Sequence, residues 1–247
     1  MNLIIDIGNT CCKFAVYDAN TLTFSDITAS APAAVSAAAK RIADNHAVKN
    51  CIVSSVSLPY DDILPSLDCI AGATIALDHN TSIPIKNLYS TPHTLGNDRL
   101  AAAVGATAIF PGCNILIIDA GTAITYDYVK DGSEYLGGNI SPGIDIRFKA
   151  LHQYTSRLPL ITDPKPTDGF GLSTEEAITN GVMTGVLNEI NGYIDQFEKK
   201  NVNSRIILTG GGSIYLSKNV KNTIFAEPNL VTIGLNRILN YNVLKEN

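Results

Sequence analysis

The chain has 247 residues, 45% of them hydrophobic and 17% charged, with a formal net charge of −5. That balance excludes a disordered or coiled-coil chain and suits one large or two small globular domains. Lys and Arg are scattered, with no run longer than Lys199-Lys200, so neither a nucleic-acid footprint nor, without an apolar run of ~18 residues, a membrane span is expected.

Asn2 to Ile7, nearly all apolar, reads as a strand buried on both faces. Lys13 to Asp18 and Thr21 to Ile27 read as the two strands of a hairpin turning at Asp18-Ala19-Asn20. Ser30 is placed to cap a helix that starts near Pro32 and runs through the alanine-rich segment to Ala43. Cys51 to Val56 reads as a short buried strand. Residues 58 to 89, broken by Pro59, Pro65, Gly72 and Pro84, read as irregular. Asp98 to Phe110 reads as a helix stopped by Pro111-Gly112.

There the opening recurs. Ile117-Ile118-Asp119-Ala120-Gly121-Thr122 repeats an apolar strand, an aspartate, a small residue, a glycine and a polar residue, and each copy precedes a hairpin, the second over Thr125 to Gly137. Pro142-Gly143 has the composition of a helix start. A long helix fits Ser173 to Lys200, with Ser173 and Glu176 spaced as a capping box. A strand fits Ser204 to Thr209, then the turn Gly210-Gly211-Gly212, and a last helix fits Asn229 to Tyr241. A βββαβα unit occurring twice predicts a duplicated α/β fold with halves 1–111 and 112–247. Each half is expected to be a mixed β-sheet flanked by helices, with Asp6 and Asp119 converging in a cleft.

Asp-x-Gly-x-Thr has a chemical logic. Gly8 lets the backbone turn sharply beside a ligand, and successive turn amides can hold phosphate oxygens. Thr10 adds a hydroxyl and Lys13 a point charge. Asp6 beside phosphate calls for a cation between them, and Mg²⁺ held by a carboxylate, phosphates and waters meets that need. The five cysteines, Cys11, Cys12, Cys51, Cys69 and Cys113, form no Cys-x-x-Cys pair, so they are expected to be reduced thiols serving as small core residues. Met1-Asn2-Leu3 lacks the basic start of a secretory signal, and a cytoplasmic protein is expected.

Asp6-x-Gly8-Asn9-Thr10 with Lys13, and Asp119-Ala120-Gly121-Thr122 with Thr125, resemble the two phosphate motifs of the superfamily of acetate and sugar kinases, heat-shock chaperone ATPases and actin. More narrowly, Tyr89-Ser90-Thr91-Pro92 followed by Gly96-Asn97-Asp98-Arg99 resembles the type III pantothenate kinases. So do Gly137 to Gly143, Thr155-Ser156-Arg157-Leu158-Pro159 (with serine where alanine is frequent) and Gly171-Leu172-Ser173-Thr174.

The resemblance implies actin/ribonuclease-H-like halves and ATP-dependent phosphorylation of pantothenate, the first step toward coenzyme A. It implies Asp98 as general base and Tyr89, Gly96, Asn97, Asp98 and Arg99 as the pantothenate pocket, with Thr174 reaching in from the other subunit of a homodimer that pairs through the C-terminal half. Asp6, Ile7, Gly8, Asn9, Thr10, Cys11, Cys12 and Lys13, with Gly121 and Thr122, would meet the ATP phosphates, and Gly210 and Gly211 the adenosine. Asp6 would reach Mg²⁺ through the phosphates, and Asp119 would hold a monovalent cation, K⁺ or NH₄⁺. From the residues themselves, Arg99 offers a planar fork that matches a substrate carboxylate, and Asp98-Arg99 also fits an ordinary helix start. A non-catalytic transcription accessory protein is the alternative; Asp6, Asp98 and Asp119, all present, weigh against it.

Overall fold

In a computed structural model, which describes residues 1–245 apart from the Ile214 side chain, the near-continuous apolar run at the N-terminus forms the central strand of a five-stranded sheet. This strand, β1 (Asn2–Ile7), pairs antiparallel with β2 (Cys11–Asp18) and parallel with β4 (Asn50–Ser55). Outside them lie β3 (Thr21–Ala29) and β5 (Thr74–Ala76), giving the order β3-β2-β1-β4-β5. The second sheet contains β6 (Lys86–Asn87), β7 (Asn114–Ala120), β8 (Ala123–Lys130), β9 (Glu134–Pro142), β10 (Ser204–Thr209) and β11 (Phe225–Ala226). Its order is β11-β10-β7-β8-β9-β6. Read from its other edge, with β6 added, this is the order of the first sheet, so the recurring sequence pattern has a matching topology.

Period-2 alternation splits β1 between two layers. Leu3, Ile5 and Ile7 join the core formed with Val35, Ala38, Ala39 and Ile42 of helix α1 (Pro32–Asn45). Asn2 lies on the other face, where its amide donates to Asn236 Oδ1 (2.8 Å) and Asn240 Oδ1 (2.7 Å) of the last helix, α6 (Leu230–Val243). Helix α2 (Asn97–Ile109), buried continuously from Arg99 to Thr107, packs against α6.

The remaining helices are α3 (Ile144–Gln153), α4 (Thr174–Lys200) and α5 (Ser213–Asn219). Two compact units result. One comprises residues 1–115, 127–137 and, of the described residues, the segment from 229 onward, the other 116–126 and 138–228. The packing thus groups the last helix with the N-terminal segments, across the 1–111 and 112–247 division, because α6 covers the Asn2 face of β1.

Local expectations were met closely at β1, β10 and α4. Ser173 caps α4, accepting from Glu176 N–H at 3.2 Å, but Glu176 reaches back to Leu172 N–H (2.8 Å). Ser30 is not a cap: Ala31 holds that position, and Ser30 Oγ donates instead to the Gly8 carbonyl at 2.8 Å. Three cysteines (Cys12, Cys51, Cys113) are buried as expected, Cys11 is half-buried, and Cys69 is exposed.

Candidate active site

The first turn joins β1 to β2. Gly8 N–H donates to the Cys11 carbonyl at 3.0 Å, and the Gly8 carbonyl accepts from both Ser30 Oγ and Ser57 Oγ, each at 2.8 Å. Two hydroxyls thereby pin the loop from its far side while Asn9 and Thr10 stay exposed. Asp6 is half-buried and stands in register between Lys13 on β2 and Ser54 on β4. The Ser54 hydroxyl is fully buried and has no hydrogen-bond partner among the described residues. Ile7 and Cys12 point into the core, which leaves their backbone as the part that can face a ligand. Burial, then the charge of Asp6, pushes the Cys12 thiol far up, so it stays protonated and is no nucleophile.

The second turn, β7 to β8, is one residue shorter: Gly121 N–H donates to the Ala123 carbonyl at 3.0 Å. Two further elements close on it. Gly143, which precedes α3, donates to the Thr122 carbonyl (3.1 Å), and Gly212 N–H donates to the Ala120 carbonyl (2.9 Å). Gly210 has φ +87°, and a Cβ there would overlap Asp119 Oδ1 and lie 2.7 Å from the Ala120 carbonyl. Only glycine permits that conformation and that approach. The structure therefore brings Asp119, Gly121, Thr122 and Gly210 together, from segments almost ninety residues apart in sequence. One carboxylate amid backbone carbonyls is a hard-oxygen set, which fits a monovalent cation or Mg²⁺. No group of three or more His, Cys, Asp or Glu that could hold a metal occurs among the described residues, so Mg²⁺ at Asp6 would need phosphate oxygens and water to complete its shell.

The third group surrounds the start of α2. Asp98 lies in the first turn, where the helix dipole favours a carboxylate, and its Oδ1 accepts from Arg99 N–H at 2.8 Å. Gly96 makes room for it, since a Cβ there would sit 2.5 Å from Asp98 Oδ1. Burial raises the Asp98 carboxyl above the usual range and the Asp127 charge adds to this, against the Arg99 charge and backbone hydrogen bonds. A carboxylate so placed is a better base than a solvated one. Asn97 spends its amide on the Leu77 carbonyl (2.8 Å) and Tyr60 Oη (3.2 Å), tethering the helix start to the segment before β6.

The Arg99 fork, offered by the sequence to a substrate carboxylate, is taken by a carboxylate of the chain itself. Arg99 Nη2 and Nε donate to Asp127 Oδ1 at 2.6 and 3.0 Å, and the two side chains are 8% and 1% exposed. Asp127 on β8 and Tyr135 on β9, which donates to Asp127 Oδ1 at 2.6 Å, were missed by sequence reasoning. A signal existed. Asp127 is an acid inside a strand otherwise rich in apolar and aromatic residues, and a buried carboxylate needs a cation. Thr174, at the first position of α4, is exposed, flanked by Phe170 (97% exposed) and Leu172 (96%).

Two sheets of one strand order, each opening on an acid-glycine turn, define the actin-like fold of sugar kinases and ATPases. The fold is shared with a Listeria monocytogenes structure assigned as an N-acetylmannosamine kinase, at 14% identity and TM-score 0.54 over 100% of this chain and 99% of that one. A Campylobacter jejuni structure assigned to the Baf family of transcriptional activators aligns over 97% and 98% of the two chains, with TM-score 0.63 and 21% identity.

The family model for type III pantothenate kinase matches residues 2–196. A type III pantothenate kinase of Porphyromonas gingivalis is 44% identical over 246 residues, covering 98% of this chain and 99% of that protein. The chain belongs to the type III pantothenate kinase family.

Proposed function

We propose that this chain transfers the γ-phosphoryl group of ATP to the primary hydroxyl of pantothenate, giving 4'-phosphopantothenate, the first step toward coenzyme A. The observation that carries the reading is Asp98: a carboxylate with a raised pKa, fixed at a helix start, inside the Tyr89 to Arg99 motif. Phosphoryl transfer has a loose transition state, so orientation and charge neutralisation dominate. Asp98 orients the pantothenate hydroxyl and accepts its proton. Tyr89, Gly96 and Asn97 shape the surrounding pocket, with Arg99 contributing through its backbone and its hold on the helix start.

Gly8 to Thr10 supply turn amides and a hydroxyl to the ATP phosphates, Lys13 a positive charge, and Thr122 a second hydroxyl; Gly210 and Gly211 flank the adenosine. Asp6 is assigned to Mg²⁺ bound through phosphates, which when present neutralises the transferring group. Asp119 is assigned to K⁺ or NH₄⁺. A homodimer in which Thr174 reaches the partner's substrate is part of the proposal. Its support is the pair of apolar side chains, Phe170 and Leu172, left in the open beside Thr174. The duplication boundary at Pro111-Gly112 and a cytoplasmic location belong to the same proposal; among the described residues no helix is long and apolar enough to cross a membrane.

The test is a coupled assay of the purified full-length protein with ATP, Mg²⁺ and K⁺. Pantothenate-dependent ADP release that vanishes in Asp98→Asn is expected. No release above background with pantothenate, under varied cations, refutes the function. Undiminished turnover in Asp98→Asn refutes the base assignment.

A further inference from the structure

Asp127 stands outside every phosphate and substrate motif, yet the polar groups around Arg99 are arranged on it. Its Oδ1 accepts from Arg99 Nη2 (2.6 Å), Arg99 Nε (3.0 Å) and Tyr135 Oη (2.6 Å), and Oδ2 lies 3.3 Å from Arg99 Nε. The Arg99 guanidinium carbon is in turn 5.8 Å from the centroid of the Tyr89 ring. The Tyr89 and Tyr135 rings are tilted at 44° with centroids 6.2 Å apart. Four side chains from the approach to α2, from α2 itself, from β8 and from β9 thus close on one another. The matching strand of the first half, β2, carries no acid between Cys11 and Tyr17, so Asp127 is an addition peculiar to the second copy.

We propose that Asp127 is a positioning residue for phosphoryl transfer: by clamping Arg99 it fixes the first turn of α2, and with it the direction of the Asp98 carboxylate and the seat of the Tyr89 ring. The coupling is short. Asp98 Oδ1 accepts from the backbone N–H of Arg99, so a shift of Arg99 moves the carboxylate directly. The clamp also has an electrostatic function. A buried guanidinium without its partner seeks another anion, and the adjacent carboxylate is Asp98. Asp127 keeps Arg99 engaged elsewhere and leaves Asp98 available to a hydroxyl. The charged groups facing Asp98 are Asp127 and Arg99, with the Tyr135 hydroxyl bound to the former. The inference rests on the reading of Asp98 as the base.

The experiment compares full-length Asp127→Asn and Tyr135→Phe with the unsubstituted protein, by initial rates against pantothenate and ATP separately, across pH. Asp127→Asn should lower kcat by about 10–100-fold, the size of effect a displaced catalytic group produces, while KM for ATP stays within about twofold. The acid limb of kcat/KM for pantothenate should move to lower pH, because Asp98 loses the neighbouring negative charge while the Arg99 charge, no longer clamped, stays beside it. Tyr135→Phe keeps the ion pair and its charges but loses one hydrogen bond, and should lower kcat by roughly 2–10-fold, the equivalent of a weakened hydrogen bond, with the acid limb unmoved. If Asp127→Asn does not fold, Tyr135→Phe and the paired replacement Arg99→Met with Asp127→Leu, which buries no lone charge, carry the test. Wild-type kcat in any folded member of this set, an unmoved acid limb in Asp127→Asn, or equal rises in both KM values overturns the proposal. Asp98→Asn measured alongside separates the two readings. An inactive Asp98→Asn beside a fully active Asp127→Asn removes only the positioning role, whereas an active Asp98→Asn removes the base on which it depends.

Discussion

Gly210→Ala perturbs the second acid-glycine turn at its tightest point. Two effects add. At φ +87° an alanine is strained by about 1–2 kcal/mol. Its Cβ would meet the Asp119 carboxylate and lie 2.7 Å from the carbonyl carbon and oxygen of Ala120; relief of such backbone overlap costs about 1–3 kcal/mol. The sum, ~2–5 kcal/mol, corresponds to a fall in Tm of about 5–15 °C for a chain of this size. Gly211→Ala is the control one residue away: it has open space around its Cβ position, and a change within ~0.5 kcal/mol is expected. Thermal unfolding of both variants, with the KM for ATP of Gly210→Ala and its activation constant for the proposed K⁺, forms the assay. Gly210→Ala should weaken both constants, because the turn must move off Asp119. Equal Tm values for the two variants, or a Gly210→Ala protein of unchanged Tm and kinetics, would refute the reasoning.

Asp98→Asn should lose turnover by about 10²–10⁴-fold, the usual worth of a positioned base, yet raise Tm at neutral pH. The Asp98 carboxyl is raised chiefly by burial, so the folded state binds its proton more tightly than the unfolded chain. Its ionised form therefore destabilises the fold above the folded pKa, and the penalty fades as pH falls toward the unfolded value. A lower Tm in Asp98→Asn would contradict this. Glu189 shows the opposite sign: burial alone would raise it, but hydrogen bonds from Arg147, Ser141 and Tyr126, together with the Arg147 charge, hold it below its ordinary 4.5. Its stabilisation should be present above that value and disappear as pH falls through the lowered pKa. Tm in the acid range should drop less steeply in Glu189→Gln, and identical slopes would contradict the pairing. Ser173→Ala removes the cap of α4 and should cost about 1 kcal/mol, read as a Tm lower by ~2–4 °C.

The frame of the protein was legible in the sequence. An apolar run ending in aspartate and a glycine turn specified β1, β7 and the two turns, and their recurrence anticipated two sheets of one strand order. Candidate residues could be picked out wherever a motif is local: Gly96 before Asp98 and Gly8 before Thr10, while Ser173 marked the start of α4. The site was not legible where partners lie far apart. Ser30 looked like a helix cap because its neighbours allow one, but its hydroxyl serves Gly8, 22 residues earlier. Arg99 looked free for a substrate because its partner Asp127 lies 28 residues further on, in another secondary-structure element.

What the sequence determined by itself is what neighbouring residues dictate to each other: strand and helix periods, tight turns that only glycine tolerates, a capped helix start. What only the tertiary structure decided is which distant groups share a buried site. Asn2 bonding Asn236 across 234 positions brings the last helix onto the first strand, and Asp127 bonding Arg99 decides which carboxylate the guanidinium serves. Backbone sterics act between neighbours and leave a pattern along the chain. The pairing of buried polar groups depends on which of them folding removes from water together, and no short stretch of sequence records that.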